Sequence, residues 1–122
     1  HMDLPIVDAP MDALAASDFL PFRTLTDMPL AMTAHVVYTA VDRRRPATTS
    51  RKVMQGIIRG HLGYDGLVMT DDLSMKALAG SLRERTQASY AAGCDVVLHF
   101  NGRLDEMLEI ASHARALSGR SR

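Results

Sequence analysis

Gly66-Leu67-Val68-Met69-Thr70-Asp71-Asp72-Leu73-Ser74-Met75 is the stretch whose reading decides the fold. Leu67 to Met69 form a short apolar run that does not alternate cleanly, bounded by a glycine and by two carboxylates. Such a run reads as a strand buried on both faces, the kind found in parallel sheets. Two other runs have the same character, Leu30 to Val37 and Val96 to Leu98. They begin at Leu30, near Gly66 and near Asp95, close to the roughly 30-residue step of a strand-helix unit.

The intervals between these runs carry helical patterns. Thr48-Thr49-Ser50 offers a cap, after which Val53, Met54, Ile57, Ile58 and Leu62 fall on one helical stripe, with Gly63 as the stop. Ser81-Leu82-Arg83-Glu84 has the spacing of a capping box, and Gly93 is placed to end the helix that it opens. A last helix takes in Leu104, Met107, Leu108, Ala111, Ala114 and Leu117, with Ser118-Gly119 closing it. Ahead of the first strand, Pro10 to Arg23 reads as a helix or a pair of helical turns broken at Pro21. Strands alternating with helices imply a parallel α/β sheet, closed as a barrel or open and doubly wound. No strand is followed by a glycine-rich phosphate loop, which argues against a nucleotide-binding open sheet. A closed (β/α)8 barrel takes about 250 residues, so 122 residues supply about three βα units and a preceding helix.

Composition sets the outer limits. Apolar residues make up 47% and charged residues 23%, with no net formal charge, so nothing favours nucleic acid or an anionic membrane surface. No apolar run approaches the ~20 residues needed to span a bilayer. The single cysteine, Cys94, excludes an internal disulfide and reads as a buried, inert thiol. His1-Met2 reads as a cloning scar, leaving residues 3–118 as the folded segment.

In barrels the reactive groups stand at the carboxyl ends of strands. Those ends carry His35, the pair Asp71-Asp72, and His99 with Asn101. A carboxylate directly after a dry strand can serve as nucleophile, general base or metal ligand. Adjacent residues point in different directions there, so one of the two aspartates faces the axis and the other is free to cap the next turn. His35 reads either as a substrate contact or as a hydrogen-bonded structural histidine. Arg43-Arg44-Arg45 fits a solvated loop, Met69 and Met75 fit core filler, and no Cys/His spacing suggests zinc.

Four ordered blocks then carry a resemblance. Ala31-Met32-Thr33-Ala34-His35-Val36-Val37-Tyr38, Pro46-Ala47-Thr48-Thr49-Ser50, the block from Gly66 to Met75, and Ala92-Gly93-Cys94-Asp95-Val96-Val97-Leu98-His99 follow one another. Together they resemble the family-3 glycoside hydrolases, specifically the bacterial cytoplasmic β-N-acetylhexosaminidases of peptidoglycan recycling. The resemblance implies a partial TIM barrel and removal of terminal β-linked N-acetylglucosamine from muropeptides with retention of configuration. It implies Asp71 as the nucleophile that forms the glycosyl-enzyme, Met75 and His35 as substrate-binding residues, and neither metal nor organic cofactor. The family's upstream Lys-His-Phe-Pro-Gly-His-Gly motif, which leads into the loop with the histidine acid/base, does not occur in these 122 residues. Nor do the Asp and Arg that hold the sugar hydroxyls. The expectation is therefore a chain inactive by itself, which self-associates or needs the missing amino-terminal half. The rival reading is a phosphoacceptor or magnesium-binding α/β module built on Asp71-Asp72; a third is a catalytically silent scaffold fragment.

Overall fold

The computed structural model describes residues 3–119; His1-Met2 lies outside them. In chain order the elements are β1 (Ile6–Val7), α1 (Met11–Ala16), α2 (Leu20–Arg23), β2 (Leu30–Met32) and β3 (Val37–Tyr38). A 3-10 turn (Ala47–Thr49) and a π-helix (Val53–His61) follow, then β4 (Leu67–Asp72), α3 (Leu82–Ala92), β5 (Val96–Leu98) and α4 (Leu104–Ser112). Strands β2, β4 and β5 form one parallel sheet in the order β2-β4-β5, so chain order and spatial order agree. Each crossover carries a helix. This is the arrangement of successive βα units in a TIM-type barrel, and the expected partial barrel is what the chain forms.

The burial of β4 runs in strict alternation. Val68, Thr70 and Asp72 are buried, whereas Leu67, Met69 and Asp71 are only partly covered. The expectation of a strand buried on both faces is thus corrected: only the outer face, toward the helices, is sealed. Chemical type could not reveal this, because both faces of β4 carry residues suited to a core. On the inner face Leu30 and Met32 of β2, which pair with Leu67 and Met69, are 49% and 54% exposed.

All three apolar clusters lie in the helical layer or between it and the sheet. Leu14, Phe19, Ala47, Val53 and Ile57 form the first, and Met54, Tyr64, Val68 and Cys94 the second. Leu73, Leu78 and Ile110 form the third, joined by Leu82 and Val97. At the amino end of the sheet, Asp95 accepts from Arg59 at 3.0 Å and from the Val68 amide at 2.8 Å, tying the π-helix to two strands. Gly66 is required there, because a Cβ would overlap the Tyr64 hydroxyl and stand 2.9 Å from the Met28 carbonyl.

The capping box is present as read, with Ser81 and Glu84 each bonding the other's backbone amide, and Gly93 ends α3 in the left-handed region at φ 119°. Ser50 also caps as read, its hydroxyl accepting from the Val53 amide at 3.2 Å. Four elements differ from expectation. The run Leu30 to Val37 is not one strand: β2 stops at Met32, and β3 pairs instead with β1 in a separate two-stranded parallel sheet. The two-residue β1 is too short to leave a periodic signal. The helix after Ser50 is wound wide, as in the 2.8 Å bond from the Leu62 amide to the Ile57 carbonyl, yet it buries the expected Val53, Met54 and Ile57. Pro21 does not break the first helical stretch; the break falls at residues 17–19, and Pro21 sits in the first turn of α2, where its missing N–H costs nothing. The last helix ends at Ser112, not at Ser118. There the Ser112 hydroxyl bonds back to the Glu109 carbonyl at 2.7 Å, and Arg115 turns onto the Tyr90 ring at 5.3 Å.

Candidate active site at the carboxyl end of the sheet

The alternation of β4 puts the two adjacent aspartates on opposite faces of the sheet. Asp71 lies on the partly open inner face with Leu67 and Met69, and Asp72 on the sealed outer face with Val68 and Thr70. Asp72 is 4% exposed. Its carboxylate accepts from the Ser74 amide at 3.0 Å and from the Ser74 hydroxyl, so it caps the turn after the strand. Asp71 accepts one bond, from the Asp72 amide at 2.8 Å, which orients its carboxylate through Oδ1. Among the described residues no cationic side chain lies within ion-pair distance of it.

His35 stands behind the strand end, 4% exposed. Its Nε2 is 2.9 Å from the Asp72 carbonyl, which can only accept, so the ring carries its hydrogen on Nε2. Nδ1 is 2.8 Å from the Thr48 hydroxyl, and Thr48 in turn meets Thr33 at 2.9 Å. Both ring nitrogens are therefore engaged within the protein, and the histidine holds the backbone one residue beyond Asp71. Met75, half-buried, lies in the turn after the strand, with its amide donating to the Asp72 carbonyl at 3.2 Å.

The next strand end serves a different purpose. His99 and Asn101 both donate to Glu106 Oε2, at 2.9 and 2.7 Å, and thereby anchor the first turn of α4. These bonds, that from His99 foremost, hold the Glu106 carboxyl below the usual range. Arg43, Arg44 and Arg45 are exposed, as a solvated loop requires. Asp42 beneath them accepts from the Arg44 amide at 3.0 Å and from the Ser50 hydroxyl at 2.7 Å. Burial pushes its carboxyl up, but the hydrogen bonds outweigh this and leave it lowered. Burial pushes the Cys94 thiol up to about 12, in keeping with an inert side chain.

Sequence reasoning missed Arg85. Its guanidinium reaches from α3 to the carbonyls of Leu73, Met75 and Gly80. Only its place in the second turn of a helix that opens directly after the loop hinted at this reach. Among the described residues no three His, Cys, Asp or Glu side chains gather into a group able to hold a metal ion. That leaves the magnesium-binding reading without its further acidic ligand.

The sealed outer face and the helix-linked parallel strands define a segment of a βα barrel. The family model for the glycosyl hydrolase family 3 N-terminal domain matches residues 1–119, and the chain belongs to that family. It is 45% identical over 105 residues to a β-hexosaminidase from Alkalilimnicola ehrlichii, a match covering 83% of this chain and 30% of the relative. The family 3 β-N-acetylglucosaminidase from a Paenibacillus species superposes with a TM-score of 0.84 at 33% identity, over 93% of this chain and 22% of that one. NagZ from Neisseria gonorrhoeae, solved in complex with N-trifluoroacetyl-D-glucosamine, superposes with a TM-score of 0.83 at 36% identity, over 98% of this chain and 35% of that one. The chain thus spans about a third of the length of the curated relatives it matches.

Proposed function

We propose that this chain is the nucleophile-bearing part of a retaining β-N-acetylhexosaminidase, with Asp71 as the attacking carboxylate. One observation carries the reading: of the two adjacent aspartates, Asp71 alone faces the inner side of the sheet, while Asp72 is consumed by Ser74. In the retaining mechanism Asp71 bonds to the anomeric carbon as the glycosidic C–O bond breaks. A second group protonates the departing oxygen, and water then releases the sugar from the carboxylate with the original configuration. The amino-sugar substrate is supported by the likeness to β-hexosaminidases and by the N-trifluoroacetyl-D-glucosamine held by the Neisseria structure. Terminal N-acetylglucosamine on muropeptides, acted on in the bacterial cytoplasm, is the specific substrate in this reading. Met75 stands beside the sugar, and His35 serves the site through the Asp72 carbonyl.

The acid and the sugar clamp belong to sequence outside these residues, and all must act together. The chain alone is therefore proposed to be inactive. The open inner face and the two edge strands β2 and β5 drive it to self-associate or to bind the complementary part of a barrel.

The test is a mechanism-based fluorosugar derived from N-acetylglucosamine, applied to the chain with a relative's amino-terminal barrel segment added, followed by peptide mass spectrometry. The adduct is expected on Asp71 and absent from Asp71→Asn. An adduct on Asp72 would overturn the assignment. Turnover of a chromogenic N-acetylglucosaminide by the chain alone, lost in Asp71→Ala, would overturn its inactivity.

A further inference from the structure

Arg85 has no carboxylate within ion-pair distance among the described residues. It spends its hydrogen bonds on backbone oxygens instead. Nη1 donates to the Leu73 carbonyl at 2.7 Å and to the Met75 carbonyl at 3.2 Å, and Nε donates to the Gly80 carbonyl at 3.0 Å. These three acceptors belong to one loop, which starts at the end of β4 and returns to the beginning of α3. A rigid planar fork can grip both ends of a loop at once, whereas an ammonium grips a single point. His35 also holds the Asp72 carbonyl, so the peptides that follow Asp71 are gripped by two side chains from distant elements.

We propose that Arg85 is a positioning residue of this site, fixing the direction of the Asp71 carboxylate and the place of Met75 through the backbone of residues 73–80. The inference rests on Asp71 as the reacting carboxylate. It matters because a displacement of about 1 Å at a reacting group can cost about a hundredfold in rate. Loop closure alone would not require the guanidinium to reach the Leu73 carbonyl, two residues beyond Asp71, together with that of Met75.

The structure supplies a direct reporter, the Asp72 amide, which donates to Asp71 Oδ1 at 2.8 Å. Its proton shift, followed by NMR, reads that bond and with it the orientation of the Asp71 carboxylate, without any turnover. The comparison uses the 122-residue chain with Arg85→Gln, Arg85→Lys, Arg85→Ala and, as control, the exposed Arg83→Gln. In Arg85→Gln the downfield shift that this bond gives the Asp72 amide is expected to fall by more than about half, and amides 73–80 to exchange at least about tenfold faster. Val68 and Val96 amides should change by less than about twofold, the mark of local opening. Arg85→Lys should fall in between, and millimolar guanidinium should restore the signal in Arg85→Ala. A loosened loop with an unchanged Asp72 amide shift would overturn the positioning role and leave Arg85 a loop staple. Arg85→Lys, which keeps the charge and most of the stem, overturns the proposal if it matches the unsubstituted chain at every amide. Fluorosugar labelling of the unsubstituted chain in the presence of the amino-terminal segment tests the Asp71 assignment separately, so the two failures are distinguishable.

Discussion

The outer and inner faces of strand β4 differ sharply. Outward, Val68, Thr70 and Asp72 meet helices and hydrogen-bond partners and are fully or nearly fully buried. Inward, Leu67, Met69 and Asp71 keep partial access, and Leu30 and Met32 beside them stand about half exposed. The outer layer is therefore where this segment obtains its stability. The inner face is where a complete barrel would close and where the proposed chemistry sits. A single strand serves both, because side chains alternate sides along it.

That contrast can be broken at several points. The largest effect concerns Cys94, which packs with Met54 and Val68 behind the sheet. A rise from 9.0 to about 12 reduces its thiolate fraction about a thousandfold. Thiol reagents at pH 8 should therefore label it only after urea unfolds the chain; rapid labelling of the folded chain would show that the outer layer is not sealed. Next come core truncations. Met54→Ala and Leu73→Ala, both fully buried, should each cost about 2–5 kcal/mol in urea titrations, as cavity-forming changes do. Leu30→Ala and Met32→Ala on the inner face should cost less than about 1 kcal/mol, because little is packed against them. Equal losses on the two faces would erase the distinction.

The aspartate pair sharpens it further. Asp72→Ala leaves the half-buried Ser74 amide and hydroxyl without their acceptor and should destabilise by about 1 kcal/mol. Asp71→Asn should move the urea midpoint by no more than about 0.5 kcal/mol equivalent while abolishing the glycosyl adduct. The smallest effect is the acid limb. Asp42 and Glu106 have carboxyls lowered in the folded state. Their stabilisation is present above the unfolded value and lost as pH falls through the folded one, so the urea midpoint should drop below about pH 4. Asp42→Asn should flatten that drop. A midpoint that rises on acidification would contradict both assignments.

Much of the fold was legible because it depends on local chemistry. The three sheet strands follow from short apolar runs bounded by glycine or polar residues. The start of α3 follows from Ser81 and Glu84, and its end from Gly93, where φ is positive. Features that depend on distant partners were not legible. Nothing local shows that the run beginning at Leu30 breaks at Thr33 so that His35 can reach the Asp72 carbonyl, or that Val37 pairs with Ile6. Nothing local shows that Arg85 faces a loop's carbonyls rather than solvent.

The sequence by itself determined the parallel α/β class, the family-like blocks and the place of a carboxylate pair at a strand end. These are written in residue type and short-range spacing. Only the tertiary structure put Asp71 on the partly open inner face, made Asp72 a cap, and showed His35 and Arg85 gripping the backbone beyond Asp71. The reason is physical: orientation at a strand end is set by register, and register is set by neighbouring strands and helices that a linear reading cannot place.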